Sequence, residues 1–518
     1  MQQNHVPTAA ELIVGAALGC NTAWVSMAFK SLSLYTGLAQ SEVILDTVYL
    51  VSIVCVALTL VVAGVYDQAT ERLLSRKESM WALPALVAAS TLAMPASAAL
   101  PDGASVVGMV AAGAVAGVAS GLFLIRFGIA FSRLSTNSCV IGATTGTVLA
   151  SLLFALFLLF DRLSACAFAA SMPVLAGLLL SYGMHMLVDQ GKAEPESASA
   201  HDAQACGGSS RGSKSELSRL TAKLAASSVL VGFSAEVVRT LYVQMGVKDL
   251  GGTAYALVEG GGAFAATVIV VGIALLLATL KTPRMARNIY HFLILLLVAG
   301  ALMLLVPVVY GQRAALVPHA LNSASYACFG MLMWTILAGV CNRWPAQRVR
   351  TFALVRAGWA AGPLLGLVVG RFVLHGVGIS IDSAMPVMMA SVIAILAASG
   401  FAFSETDLVR AMDLLPLQRK QHFREKCAKV AADYALSERE HEVMVLLAKG
   451  RNLPFIQEEL LLSKSTVSTH RQHIYAKLDI HSQQELINLV QETQAESATS
   501  EVPHPKRPAS TPAVRPAC

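Results

Sequence analysis

Charge is what this chain of 518 residues has least of: Asp, Glu, Lys and Arg together make up 14% of it, where a soluble globular protein carries roughly 25%. With 55% apolar residues it cannot dress a large surface in charge, which excludes an ordinary water-soluble globule and indicates a membrane protein. The nine cysteines (Cys20, Cys55, Cys139, Cys166, Cys206, Cys328, Cys341, Cys427 and Cys518) fall singly. No C-x-x-C pair and no His at ligand spacing accompanies them, so neither a disulfide framework nor a metal site is expected. A nucleotide-binding loop and a catalytic triad are also lacking, which points away from an enzyme and from any cofactor. The opening MQQNHVPTAA has neither a basic n-region nor a small-residue cleavage site, so the first apolar stretch is expected to stay as a membrane helix.

The shortage of charge is uneven. Long stretches before residue 405 have almost none, whereas the last hundred or so residues are as polar as a soluble protein, and the border falls near Ser404. A hydrocarbon core about 30 Å thick needs roughly 20 apolar residues of helix. Twelve such stretches occur, at 10–29, 43–66, 80–100, 104–131, 138–160, 165–188, 222–245, 252–279, 289–310, 315–340, 351–374 and 383–403.

Loops rich in Lys and Arg stay on the cytoplasmic side. The even-numbered loops hold Arg72, Arg76 and Lys77; Arg133; Lys192, Arg211, Lys214, Arg219 and Lys223; Lys281, Arg284 and Arg287; and Arg343, Arg348 and Arg350. The odd loops hold about one cation each, or none. Both termini are therefore expected in the cytoplasm, with the chain in a cytoplasmic membrane.

Between the sixth and seventh stretches lies DQGKAEPESASAHDAQACGGSSRGSKSE, too rich in Ser, Ala and Gly to bury a core. It implies an N-terminal six-helix half at 1–188, a cytoplasmic linker at 189–221 and a C-terminal six-helix half at 222–403. Two such halves resemble the major facilitator superfamily of transporters, whose substrate cavity lies between them. The superfamily's motif after the second helix, roughly G-x-x-D-R-x-G-R-[RK], finds only Gly64 and Asp67 in GVYDQATERLLSRK. The missing Arg and Gly count against an intact transport cycle.

Ionisable residues within spans are costly in lipid and mark candidate functional positions. Glu236 and Arg239 stand three apart on the seventh span, hence on one face, and Glu259 sits beside a triple glycine on the eighth. They read either as a polar cluster lining a ligand cavity or as an internal ion pair that fixes two helices in register. Arg126 and Arg356, near the inner ends of their spans, are expected to snorkel to the headgroups.

The tail carries a sharper signal. After a polar, potentially helical connector at 404–435 with a basic run from Arg419 to Lys429, SEREHEVMVLLAKG opens with Ser437 and Glu440 at capping-box spacing and stops at Gly450. LPFIQEEL, KSTVSTHRQHIYAKL and SQQELINLVQ supply a short helix, a longer one and a closing one. Ile456, Leu460, Val467, Ile474, Leu478 and Leu486 are the candidate core. Between 437 and 491 six Lys and Arg face seven Asp and Glu, yet residues 463–478 hold no acid, the polarity that a helix entering a DNA groove needs.

Residues 436–491 resemble the LuxR-type DNA-binding domain, with its pattern L-[ST]-x-R-E-x-E-V-x-x-L-x-A-x-G followed by I-S-x-x-T-V-x-x-H-x-x-[NH]-I-x-x-K-L and E-L-I. Leu436, Ser437, Arg439, Glu440, Glu442, Val443, Gly450, Ser463, Thr466, Val467, His470, His473, Ile474, Lys477, Leu478, Glu485, Leu486 and Ile487 match in register. The departures are Ser468 for the frequent Lys, Leu453-Pro454-Phe455 in the second helix, and Gln483 for the common Arg.

The resemblance implies a DNA-binding surface of Lys464, Ser465, Thr466, Ser468, Thr469, His470, Arg471, Gln472, His473 and Lys477. Within it Ser468, Thr469 and Gln472 read bases, and Lys464, Thr466, His470 and Lys477 mainly hold phosphates. It also implies homodimerisation through Leu486, Leu489 and Val490. The Pro- and Ala-rich end, 492–518, reads as disordered.

The fold class expected is therefore all-α, a polytopic membrane bundle plus a four-helix C-terminal domain. The function expected is a one-component regulator whose partners are promoter DNA, the lipid bilayer and a small molecule sensed by the bundle. A working secondary transporter with a regulatory DNA-binding tail is the other reading.

Overall fold

A computed structural model describes residues 8–35, 41–98, 103–134, 136–189, 211–244, 283–377, 380–408, 416–460 and 462–492, with positions 100–101 and parts of 262–272. Most of the span expected at 252–279, including Glu259, lies outside the described residues, as do nearly all of the linker and the end beyond 492. The described secondary structure is helical with no strand, in keeping with the all-α expectation, and the chain divides into two compact units, Met1–Pro416 and Leu417–Cys518.

The first unit contains α1 (Ala9–Phe29), α2 (Ser41–Val65), α3 (Asp67–Ser75), α4 (Lys77–Ser97), α5 (Ala104–Phe131), α6 (Thr136–Phe157) and α7 (Arg162–Asp189), then α8 (Arg211–Gln244), α9 (Pro283–Leu302), α10 (Leu305–Tyr310), α11 (Leu316–Arg343), α12 (Arg348–Val377) and α13 (Ile381–Ala397). Among the described residues eleven helical spans are long and apolar enough to cross a bilayer. Helix α8 starts at Arg211, upstream of the expected apolar boundary at 222, because Leu217, Leu220 and Leu224 in its polar first turns are buried and carry the helix outward.

Apolar helices gain little by hiding from lipid, so small residues that let backbones approach decide which helices pair. On α1, a Cβ at Gly15 would stand 2.7 Å from the Gly142 carbonyl of α6, and one at Gly19 would stand 2.8 Å from that of Gly146. The corresponding helices of the second half repeat the device: a Cβ at Gly358 of α12 would meet the Ala225 carbonyl of α8 at 2.6 Å, and one at Gly362 the Val229 carbonyl at 2.5 Å. Buried Glu11 strengthens the first pair, accepting from Ser138 Oγ at 2.7 Å.

The halves meet along α2 and α12, where Gly64 lies against Leu354. Ion pairs stand at both ends of this seam: Asp46 with Arg371 at one, and Glu71 of α3 with Arg348 at the other, Nη2 to Oε1 2.7 Å. Arg126 does not snorkel as expected. Its Nη1 donates to the Leu74 carbonyl at 2.9 Å and to Ser79 Oγ at 2.8 Å, so it holds the turn between α3 and α4. Exposed Leu58, Val62, Leu159, Leu163 and Phe401 form part of the apolar exterior.

The connector expected at 404–435 is split between the units. Its first turn is clamped to the first unit, with Tyr290 Oη donating to the Phe403 carbonyl, Lys223 Nζ to Asp407 Oδ2 at 2.6 Å, and His291 3.3 Å from Glu405. Its later part, α14 (Pro416–Asp433), joins the second unit together with α15 (Glu438–Ala448), α16 (Leu453–Leu460), α17 (Lys464–Leu478) and α18 (Gln483–Glu492). Cys427, Val430 and Ala431 of α14 share one core with Val443, Leu447, Ile456, Val467, Ile474, Leu478 and Leu486. Among the described residues the second unit thus has the four helices expected at 436–491, preceded by α14 from the connector. The few apolar residues that α14 adds to this core are diluted in its sequence by Lys, Arg and Gln.

Gly362→Val should destabilise the first unit by about 1–3 kcal/mol or more through overpacking, whereas Gly272→Val, with nothing within 4 Å of the added carbon, should leave it unchanged. Thermal unfolding of both variants in detergent measures the contrast.

Candidate nucleic-acid interface

The second unit is built around the start of α15. Ser437 N donates to Glu440 Oε2 at 2.7 Å while Ser437 Oγ accepts from Glu440 N at 3.3 Å, the reciprocal cap anticipated from the spacing. Glu440 is 5% exposed. Its carboxylate also receives Lys477 Nζ from the last turn of α17 at 2.7 Å, and the same ammonium donates to the Ala435 carbonyl at 3.3 Å. One carboxylate thus joins the start of α15 to the end of α17. The Lys477 ammonium and the Ser437 N–H hold the Glu440 carboxyl down to about 2. The phosphate role expected of Lys477 competes with this internal pairing.

Helix α17 is capped by Ser463, whose Oγ accepts from Thr466 N at 3.2 Å, and ends at Asp479 in the left-handed region. Val467, Ile474 and Leu478 face the core. The opposite side presents Lys464, Ser465, Thr469, Gln472, His473 and Ala476 exposed, with Thr466, Ser468, His470 and Arg471 half-buried at its edges. This stripe recurs at three- and four-residue spacing and displays donors, acceptors and cations without a carboxylate. Thr469 Oγ1 donates back to the Ser465 carbonyl at 3.0 Å, so its methyl and oxygen lone pairs remain for a partner.

Two departures from the family pattern have local explanations. Gln483 Nε2 donates to the Leu447 carbonyl at 2.8 Å and the Arg451 carbonyl at 3.1 Å, satisfying the end of α15 with an amide. Pro454 stands in the first turn of α16, where its missing N–H costs nothing, and Asn452 Oδ1 caps the turn by accepting from Phe455 N at 3.1 Å. Arg451, not singled out from the sequence, lies 4.8 Å over the Phe455 ring and lines a cavity of about 450 Å³ with Arg471, Gln472 and Tyr475. No motif position announces it.

Residues 434–490 match the family described as bacterial regulatory proteins, luxR family. They form a LuxR-type helix-turn-helix domain. Over 65 residues the chain is 43% identical to the uncharacterized response regulatory protein YgeK of Escherichia coli K12, covering 12% of this chain and 44% of that one. Over 92 residues it is 33% identical to the response regulator UvrY of the same organism, covering 18% and 38%. The chain thus spans less than half the length of these curated relatives.

Structural likeness is confined to the fold and covers most of the remainder. The proton:xylose symporter XylE superposes with TM-score 0.54 at 16% identity over 78% of this chain and 98% of its own. A bacterial homologue of the iron transporter ferroportin, in an outward-facing state, gives 0.53 at 15% over the same shares. The first unit therefore has the major facilitator fold and the chain is a multi-pass membrane protein. Neither this fold nor a LuxR-type domain is typically enzymatic.

The expected dimer residues need correction. Leu486 and Val490 are 0% and 1% exposed inside the domain's own core, because α18 closes over α15 with that face. Of the three, only Leu489 is half-buried. In the membrane unit Glu236 and Arg239 pair with each other, Nε to Oε1 2.9 Å, and the guanidinium stands 5.7 Å over the Tyr49 ring. The third member of the expected cluster, Glu259, lies outside the described residues.

A carboxyl held below its unfolded value stabilises the fold fully above the ordinary carboxylate range and loses that contribution as pH falls toward 2. Glu440→Gln, which strips Lys477 of its charged partner, should cost the 416–492 fragment about 1–3 kcal/mol near neutrality. It should also flatten the fall in melting temperature between about pH 4.5 and 2.

Proposed function

We propose that this chain is a one-component transcriptional regulator embedded in a bacterial inner membrane. The major facilitator unit senses a small molecule, and the LuxR-type domain binds promoter DNA from the cytoplasmic side. The observation that carries the reading is the acid-free outer stripe of α17 on a chain whose other unit has a transporter fold. Such folds exchange between two global states, and a ligand shifts them by its difference in affinity for the two. Both termini face the cytoplasm, as the alternation of cationic loops supports.

On DNA, Lys464, Thr466 and His470 contact phosphates, with the helix start and Arg471 alongside, while Ser468, Thr469 and Gln472 address base edges. The amide of Gln472 is suited to adenine. Ser465 and His473 flank this set on the exposed side. Pairing of two domains through α18 uses its outer face, with exposed Gln484 and Asn488 and half-buried Leu489, rather than Leu486 and Val490.

Footprinting of the chain's own upstream region by the full-length protein tests the reading. Lys464→Ala should weaken binding about equally on all sequences and lower the salt slope by about 1, whereas Gln472→Ala should cost about 1–3 kcal/mol at one base position. Absence of protection on any promoter fragment, with the domain folded, would rule the reading out.

A further inference from the structure

We infer that Arg356 anchors an anion-binding site inside the membrane unit, taking the carboxylate of a small planar organic acid against Trp359 and Tyr326. The inference deepens the sensor reading, on which it rests for its purpose, by naming the class of ligand.

Arg356 was expected to snorkel, and it does not. Its guanidinium lies 5.1 Å from the ring centroid of Trp334 on α11 and 5.3 Å from that of Trp359 on its own helix. Trp359 in turn stacks on Tyr326 at 4.7 Å. The outer face of α12 is marked by exposed Leu365, Val368 and Val369. Arg356 precedes Leu365 by nine positions, two and a half turns at 3.6 residues each, and therefore points the opposite way. It looks into the bundle. There Arg356, Trp359 and Tyr326 are all half-buried, although α11 is enclosed over most of its length. Side chains that point inward and still keep accessible surface border open space within the domain.

Within the described residues that charge has no bonded counterpart. Among the described residues Arg356 makes no hydrogen bond or ion pair, and its sealed Nε lacks a partner, as does the indole Nε1 of Trp334, which is 6% exposed. The acid nearest to hand in sequence reasoning, Glu236, is engaged by Arg239. An unpaired cation away from bulk water is costly, and two aromatic faces offset only part of that cost. Beside Tyr326, whose hydroxyl can donate or accept, the described residues offer a guanidinium fork and an indole N–H as donors next to a flat aromatic wall. A carboxylate matches the fork with two parallel hydrogen bonds, and a planar apolar body matches the wall. The single positive charge of Arg356 is matched by a monoanion.

The test is ligand-induced thermal stabilisation of the full-length protein in detergent, using benzoate, 4-hydroxybenzoate, phenylacetate and indole-3-acetate. Their primary amides and inorganic phosphate serve as controls. At least one carboxylate should raise the melting temperature, while its amide and phosphate do not. Arg356→Gln should weaken that ligand about tenfold or more, Arg356→Lys less, and Trp334→Phe, which keeps the ring and removes the N–H, should weaken it in a chain that still folds. The proposal is overturned if no carboxylate stabilises the wild type, if amides or phosphate act equally well, or if Arg356→Gln, eluting as a folded protein, keeps full affinity. Promoter occupancy is read separately. Binding without any effect on occupancy sinks the sensor reading and leaves the site standing, and the converse result sinks the site alone.

Discussion

A helix in lipid satisfies its own backbone but has no hydrophobic reason to touch another helix. The membrane unit answers that constraint with backbone proximity, and everything else in it depends on the answer. Gly15 and Gly19 seat α1 on α6, and Gly358 and Gly362 seat α12 on α8. Among the described residues both halves thus close by the corresponding pair of helices. Once α8 and α12 are in contact, Arg356 and Trp359 are carried inward and the ends of α12 reach Glu71 and Asp46 of the other half.

The second unit obeys the opposite physics. Among its described residues a shared apolar core holds five short helices, and polar groups serve to join their ends. Glu440 is the clearest instance, since a single carboxylate caps α15 and receives the cation that terminates α17. Structural duties on the exterior of α17 gather at its two ends, in the Ser463 cap with Ser465 and Thr466 and in the Lys477 and His473 side chains beside Glu440. The same residue types do different work in the two units: Arg356 faces aromatic rings inside the bundle, while Arg451 lies over Phe455 at a domain surface.

Much of this was legible in the sequence because it repeats a short-range rule. The length of the apolar stretches marks the eleven described spans, and Ser437, Glu440, Gly450 and Ser463 mark the helix ends through local hydrogen bonding. The core positions Val467, Ile474 and Leu478 followed from helical spacing. What stayed hidden depends on distant partners. Whether Arg356 or Arg126 snorkels is decided by rings and carbonyls on other helices, and whether Leu486 faces a second molecule or its own core is decided by how α18 lies on α15. The packing of α14 on the domain was hidden for another reason: the connector reads as polar and potentially helical, but three buried residues among many charged ones leave almost no periodic signal of a packed face.

The account stands on a membrane-bound chain that occupies DNA without leaving the bilayer. Crosslinking cells that express the tagged full-length chain, isolating the membrane fraction and sequencing the DNA recovered with the tag measures this directly. The account predicts discrete enriched sites, recovered with intact protein of full length. Enrichment found only with a shortened, soluble fragment, or DNA recovered without preference for any site, would contradict it.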